Sequence, residues 1–153
     1  MNETPPTAIH RRVDRCRAGH DPTLIARLPS GWAVMGDPQV VRGYSLLLPD
    51  PVVPHLNALG QREQSRFLAD LALLGQAVLE ATGAIRINYA LFGNVEPALH
   101  GHALPRFADE PQAMRRANPW EYDWSRAPAF DVLADGELLQ ALKVRLRNRE
   151  SSP

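Results

Sequence analysis

His100 and His102 stand two residues apart in the run from Asn88 to Arg106, NYALFGNVEPALHGHALPR. If that run is extended, both imidazoles project from one face with about 6.5 to 7 Å between their Cα atoms, while Leu99, Gly101 and Ala103 face the other way. A neutral imidazole carries one lone pair and one N–H, so one ring of such a pair can attack an electrophile while the other donates a hydrogen bond. His-x-His on a strand is also a zinc-ligand spacing, and Cys16 and His20 could add a sulfur and a nitrogen, although the chain has a single cysteine. The third possibility is two solvated histidines on an edge strand. Spacing alone leaves the three open.

The elements that would position this pair follow from periodicity and from punctuation by proline and glycine. Residues 1–20 show no apolar period and read as a partly ordered N-terminal arm. Leu24, Ile25 and Leu28, then Trp32 and Val34, flank Pro29-Ser30-Gly31 and predict two short strands in a hairpin, with Trp32 in the core. Gly43 to Leu48 (GYSLLL) predicts a continuous apolar strand that Pro49 ends. Over residues 60–82, Phe67, Leu68, Leu71, Leu74, Val78 and Leu79 recur at helical steps, predicting one long helix stopped at Gly83. From Ile85 to Phe92, Ile85, Ile87, Tyr89 and Leu91 alternate with Arg86, Asn88 and Ala90, the pattern of a strand with one buried face. Gly93-Asn94 then turns the chain into a strand from Leu99 to Phe107. Trp120, Tyr122 and Trp124 fall in loops, where they could line a pocket or an interface. Gly136 to Asn148 reads as a short amphipathic helix, and the final Ser151-Ser152-Pro153 is expected to fray. A tight Gly-Asn connection joins antiparallel neighbours. The fold class expected is therefore α+β: an antiparallel β meander covered by one long helix plus a short C-terminal helix. It forms a single domain with an arm (1–20), a core (21–107) and an aromatic-rich C-terminal part (108–153).

Composition narrows the function classes. The 153 residues carry 17 basic and 17 acidic side chains. There is no broad positive field for a nucleic acid polymer or an anionic membrane surface, and phosphate recognition must be local. No apolar stretch approaches the roughly 20 residues of a membrane helix, and the start, MNETPPTAIHRR, lacks the order of a signal peptide. A cytoplasmic location is expected.

Gly93-Asn94, Pro97 and then Leu-His-Gly-His-Ala-Leu-Pro-Arg (99–106) together resemble the histidine triad (HIT) superfamily, whose signature is His-φ-His-φ-His-φ-φ, commonly followed by Pro-Arg, with φ an apolar residue. His102 matches the third histidine and His100 the middle one, while Ala98 stands at the first. GYSLLLP (43–49) is similar to the family's Gly-His-x-Leu-Val-x-Pro strand, with Tyr44 in place of the histidine, and the likeness extends over about residues 16 to 107.

The resemblance implies a nucleotide hydrolase or nucleotidyl transferase. It would act on the α-phosphate of a nucleoside phosphoramidate, anhydride or dinucleoside polyphosphate through a covalent nucleotidyl-histidine intermediate. His100 would be the nucleophile, its other ring nitrogen donating to a backbone carbonyl, and His102 a donor to phosphate or leaving group. Asn88, Asn94, Val95 and Arg106 would contact substrate. The partner implied is a small-molecule nucleotide, with no cofactor and no metal ion, and the assembly implied is a homodimer. A non-catalytic or weakly active nucleotide-binding regulatory protein on the same fold is the alternative. Three departures stand out. Ala98 donates nothing, Gly101 replaces a larger apolar residue, and Glu96 would repel an anionic substrate unless, as expected, it points to solvent.

Overall fold

A computed structural model of the chain describes residues 5–150. It opens with helix α1 (Ala8–Arg17), where the sequence reading expected an irregular arm. Ile9, Val13 and Cys16 recur at steps of four and three and are buried, so a period does exist, masked by the basic residues between them. The Thr7 hydroxyl accepts from the His10 backbone N–H and caps the helix. Arg12 ties the helix to the sheet, its Nη2 donating to Thr23 Oγ1 at 2.7 Å and to the Met35 carbonyl at 2.6 Å. The first four residues of the expected arm and residues 151–153, where fraying was expected, lie outside the described residues.

The fold is α+β, as expected. Strands β1 (Leu24–Leu28), β2 (Gly31–Met35) and β3 (Ser45–Pro49) precede the long helix α2 (Gln61–Thr82), which is followed by β4 (Arg86–Ala90) and β5 (Gly101–Arg106). The five strands form one antiparallel sheet in the order β1-β2-β3-β5-β4. Because β3 and β4 both run antiparallel to β5, they are parallel to each other. The crossover through α2 makes that possible, and β5 fills the space between them. After β5 come a short helix α3 (Gln112–Arg116) and two 3-10 turns (Pro119–Glu121 and Trp124–Arg126). The final helix, α4 (Val132–Glu150), exceeds the expected span at both ends, and the Asp131 carboxylate accepts from the Leu133 and Ala134 N–H groups at its start. Among the described residues no helix is long and apolar enough to cross a membrane.

Both faces of the sheet are covered. Helices α2 and α4 close one core, with Leu28, Met35, Leu47, Phe67, Leu74 and Leu142 at its centre. Helix α1 closes the other, over Val34, Leu46, Leu48 and Leu104, with Trp32 and Trp124 packed at its margin. The double cover explains why β3 is apolar without alternation, since every residue from Ser45 to Pro49 is buried. Trp32 is half-buried rather than central: its Nε1 donates to Asp50 Oδ2 at 2.9 Å, and Arg27 lies over its ring. Strand β4 departs from the expected buried face. Ile85, just ahead of the strand, is 66% exposed and Tyr89 is 48% exposed, because β4 is the sheet edge and α2 covers it only in part.

Strand β5 is shorter than the run from Leu99 to Phe107, so His100 sits immediately before it and His102 within it. Gly101, paired with Leu47, faces α2, where an added Cβ would come within 2.9 Å of both Leu71 methyl groups. Leu71 thus occupies the space that a larger side chain at residue 101 would need. Gly101→Val should destabilise the protein by about 1–3 kcal/mol through overpacking. Combined with Leu71→Ala it should cost less than the sum of the two single changes, which urea denaturation of the four proteins measures.

Candidate active site

The register sets the first ring. His102 lies opposite Leu46 on one side and Ala90 on the other, which turns its side chain to the α1 face, away from Gly101. Tyr44, just ahead of β3 on the same face, stacks on it with ring planes 9° apart and centroids 5.8 Å apart. The Tyr44 oxygen is 2.7 Å from His102 Nδ1. Among the described residues that nitrogen is the hydroxyl's hydrogen-bond partner, so the buried O–H is satisfied by donating to Nδ1, which leaves the ring proton on Nε2. Trp120 closes the other side edge-on, with centroids 4.9 Å apart and planes at 88°. The residue is 6% exposed. Burial, and secondarily the proximity of His100, push the His102 pKa down from 6.5 to about 3. His102 is therefore neutral at pH 7, and its Nε2 is buried without a partner among the described residues.

The second ring is fixed differently. Leu99 N–H donates to the Val53 carbonyl at 2.8 Å, holding the chain extended just before β5. His100 folds back so that Nδ1 is 2.7 Å from the Ala98 carbonyl oxygen. A carbonyl can only accept, so Nδ1 carries the hydrogen, and in the neutral ring the lone pair is on Nε2. The ring centroids of His100 and His102 are 4.7 Å apart. At residue 98 the functional group is thus the backbone carbonyl, while the alanine methyl is buried in the core beneath α1.

Both histidines open on a cavity of about 540 Å³ lined also by Phe92, Asn94, Val95, Glu96, Asn118, Trp120 and Glu121. Four of the residues singled out in the sequence therefore come together: His100, His102, Asn94 and Val95. Asn88 and Arg106 do not join them. They line a neighbouring cleft of about 510 Å³ with Ile85, Arg86 and Arg115. Arg106 is held by Glu110 through Nε and Nη2, with a further bond from Nη2 to the Met114 carbonyl at 2.7 Å. That pairing lowers the Glu110 pKa and clamps the start of the C-terminal segment against β5.

Glu96, expected to face solvent, instead lines the histidine cavity, and its Oε1 is buried without a partner among the described residues. The loop aromatics divide. Trp120 lines the cavity, Trp124 packs edge-on against Tyr44, and the Tyr122 hydroxyl reaches toward the Met114 carbonyl. The sequence reading missed Phe92, Asn118 and Glu121. The last two form a reciprocal cap around Pro119 and Trp120, a spacing of three that is visible in the sequence as a capping box. Phe92 carried no such signal. The zinc alternative gains no geometry: among the described residues no group of three His, Cys, Asp or Glu is placed to hold a metal ion. Cys16 is buried against the sheet with its thiol pushed up to about 11, and His20 is exposed.

Because His102 titrates near 3 when folded and near 6.5 when unfolded, the unfolded chain binds one more proton between those values. Its contribution to stability is complete above pH 6.5 and is lost as pH falls toward 3, at up to about 1.4 kcal/mol per pH unit. In His102→Gln, the pH slope of the unfolding free energy between pH 5 and 6 should be smaller by about one proton. An unchanged slope in urea titrations would show that His102 is not held neutral.

No family model matches the chain, and no curated protein matches it. Solved structures do. The chain is similar to a histidine triad protein from Bradyrhizobium japonicum, with TM-score 0.72 and 20% identity over 93% of this chain and 99% of that one. A histidine triad protein from Sinorhizobium meliloti gives TM-score 0.71 and 17% identity over 91% and 96%. A protein from Sulfolobus tokodaii described as a hypothetical histidine triad nucleotide-binding protein gives TM-score 0.71 and 12% identity over 90% and 92%. The order of strands, the covering helices and the overlay on these structures lead to one conclusion: this chain has the fold of the histidine triad proteins.

Proposed function

We propose that the protein is a nucleotide hydrolase or nucleotidyl transferase in which His100 attacks the α-phosphorus of a small nucleotide. The observation that carries this reading is the bond from His100 Nδ1–H to the Ala98 carbonyl, which leaves the Nε2 lone pair on a ring fixed at the cavity. No base is needed, because a neutral imidazole of this tautomer is already a nucleophile. A bond forms between Nε2 and phosphorus as the bond to the leaving group breaks. The leaving atom keeps the electron pair and takes a proton from solvent. Water, or a second acceptor, then adds at phosphorus, the P–N bond to His100 breaks, and one proton returns to solvent.

Charge on the nonbridging oxygens grows in each transition state and calls for donors already in place. His102 Nε2–H is suited to that task. It is a neutral donor, and with its pKa near 3 it is not an imidazolium at pH 7, so its role is a hydrogen bond rather than proton transfer. Asn94 and Val95, on the loop across the cavity, would hold the phosphate or the sugar. Arg106 lines the neighbouring cleft, and Asn88 lines both that cleft and one bounded by Phe92, Asn118 and Trp120 of the cavity wall. The exposed apolar edge at Ile85 and Tyr89 supports a homodimer paired along β4.

His100→Ala should lower turnover of adenosine 5′-phosphoramidate by on the order of 10⁴-fold while AMP still binds, and His102→Ala should slow it by on the order of 10²-fold. Steady-state rates together with AMP titration calorimetry measure both. Turnover retained in His100→Ala would remove the nucleophile. AMP binding without any turnover in the wild type would favour the nucleotide-binding regulatory reading.

A further inference from the structure

The sheet face that carries His102 has a second cleft, of about 510 Å³, at the far end of β4 and β5. Among the described residues that line it are three arginines, Arg86, Arg106 and Arg115, and one carboxylate, Glu110. An excess of two positive charges is thus gathered in one place, in a chain whose formal net charge is zero. The histidine cavity is opposite in character, with Glu96 and Glu121 and no lysine or arginine on its described lining.

The register explains the crowding. Arg86 of β4 lies directly opposite Arg106 of β5, so both side chains stand on the same face, and like charges placed across two strands repel. Glu110 relieves only one of them. Its oxygens accept from Arg106 Nε and Nη2 and from the Phe107 backbone N–H. Arg86 has no carboxylate partner among the described residues. Arg115 Nε and Nη2 donate to the carbonyls of Glu110 and Ala108, which hold its guanidinium at the cleft without neutralising it. Arg106 Nη1 is also unpaired among the described residues, and it is not enclosed. Three guanidinium groups, one fixed by two carbonyls and one by Glu110, supply the forked donors that match phosphate oxygens. Asn88, two residues along β4 on the same face, adds an amide to the wall.

We infer that this cleft is a second binding site, for a phosphate group, separate from the site of His100 and His102. Arg106 is four residues beyond His102 along β5, roughly 13 Å at the rise of a strand, so a phosphate held there is out of reach of the histidine pair. It bridges Arg86 and Arg106 and completes the donors of Arg115, and no covalent bond is made or broken. Nothing in this inference depends on nucleotidyl transfer. Side chains stand perpendicular to a sheet, so a second copy paired along the β4 edge would leave the arginine face open. A free phosphate ion and the phosphate of an organic ester share the chemistry that these residues recognise.

The test is titration of the isotope-labelled full chain with inorganic phosphate and with ribose 5-phosphate, read by amide correlation NMR spectra, with ionic strength held constant by chloride. Amides within 85–88 and 106–115 should shift along one saturable curve that chloride alone does not produce. Arg86→Gln, at an exposed position of the edge strand, should weaken binding by about tenfold, and Arg115→Gln likewise, with the rest of the spectrum unchanged. Tighter binding of ribose 5-phosphate would identify an organic phosphate as the occupant, and equal or weaker binding the free ion. Shifts confined to residues 94–102, an unaltered curve in both variants, or no saturable shift with either ligand would overturn the inference.

Discussion

A single hydrogen bond from an imidazole to its own backbone organises this site. The ring of His100 gives its Nδ1 hydrogen to the carbonyl of residue 98, and one choice of tautomer follows for as long as that bond holds. Holding it requires the chain from Ala98 to Gly101 to be extended and rigid. The Leu99 N–H bond to Val53, the burial of Ala98 beneath α1 and the close contact of Gly101 with Leu71 provide this from three directions. The main chain supplies the acceptor whatever the side chain, and the methyl serves as core.

His102 illustrates the other way a protein can use the same residue type. Strand alternation places it on the α1 face, where Tyr44 occupies one nitrogen and burial removes the charged form. Two histidines separated by one residue therefore differ in their free nitrogen: a lone pair on His100, a hydrogen on His102. In the proposed reaction one would offer electrons to phosphorus and the other a hydrogen to oxygen. Tyr44, which stands where the family signature has a histidine, is what fixes that hydrogen.

Much of this was legible in the residues. The spacing of Phe67, Leu71, Leu74 and Val78 located α2 to within one residue at its start, and the hairpin, the strand order around Gly93-Asn94 and the histidine pair were readable from period and turn chemistry. The signals that failed share a cause. Helix α1 was hidden because three buried residues among ten are a weak period when arginines separate them. The half-exposure of β4 could not be read because being at an edge is a property of the sheet, not of the strand. The direction of Glu96 was unreadable for a related reason: which way a loop carboxylate turns depends on the segment from Asn118 to Glu121, far away in sequence. The histidine pair needed only local geometry, so it survived.

Whether His100 forms a covalent bond to phosphorus is decided by intact-protein mass spectrometry of samples quenched within seconds of mixing with adenosine 5′-phosphoramidate. An adenylyl increment is expected on the wild-type chain, mapped to His100 by peptide analysis and missing from His100→Ala. An increment that persists in His100→Ala, or that maps to another residue, would contradict it.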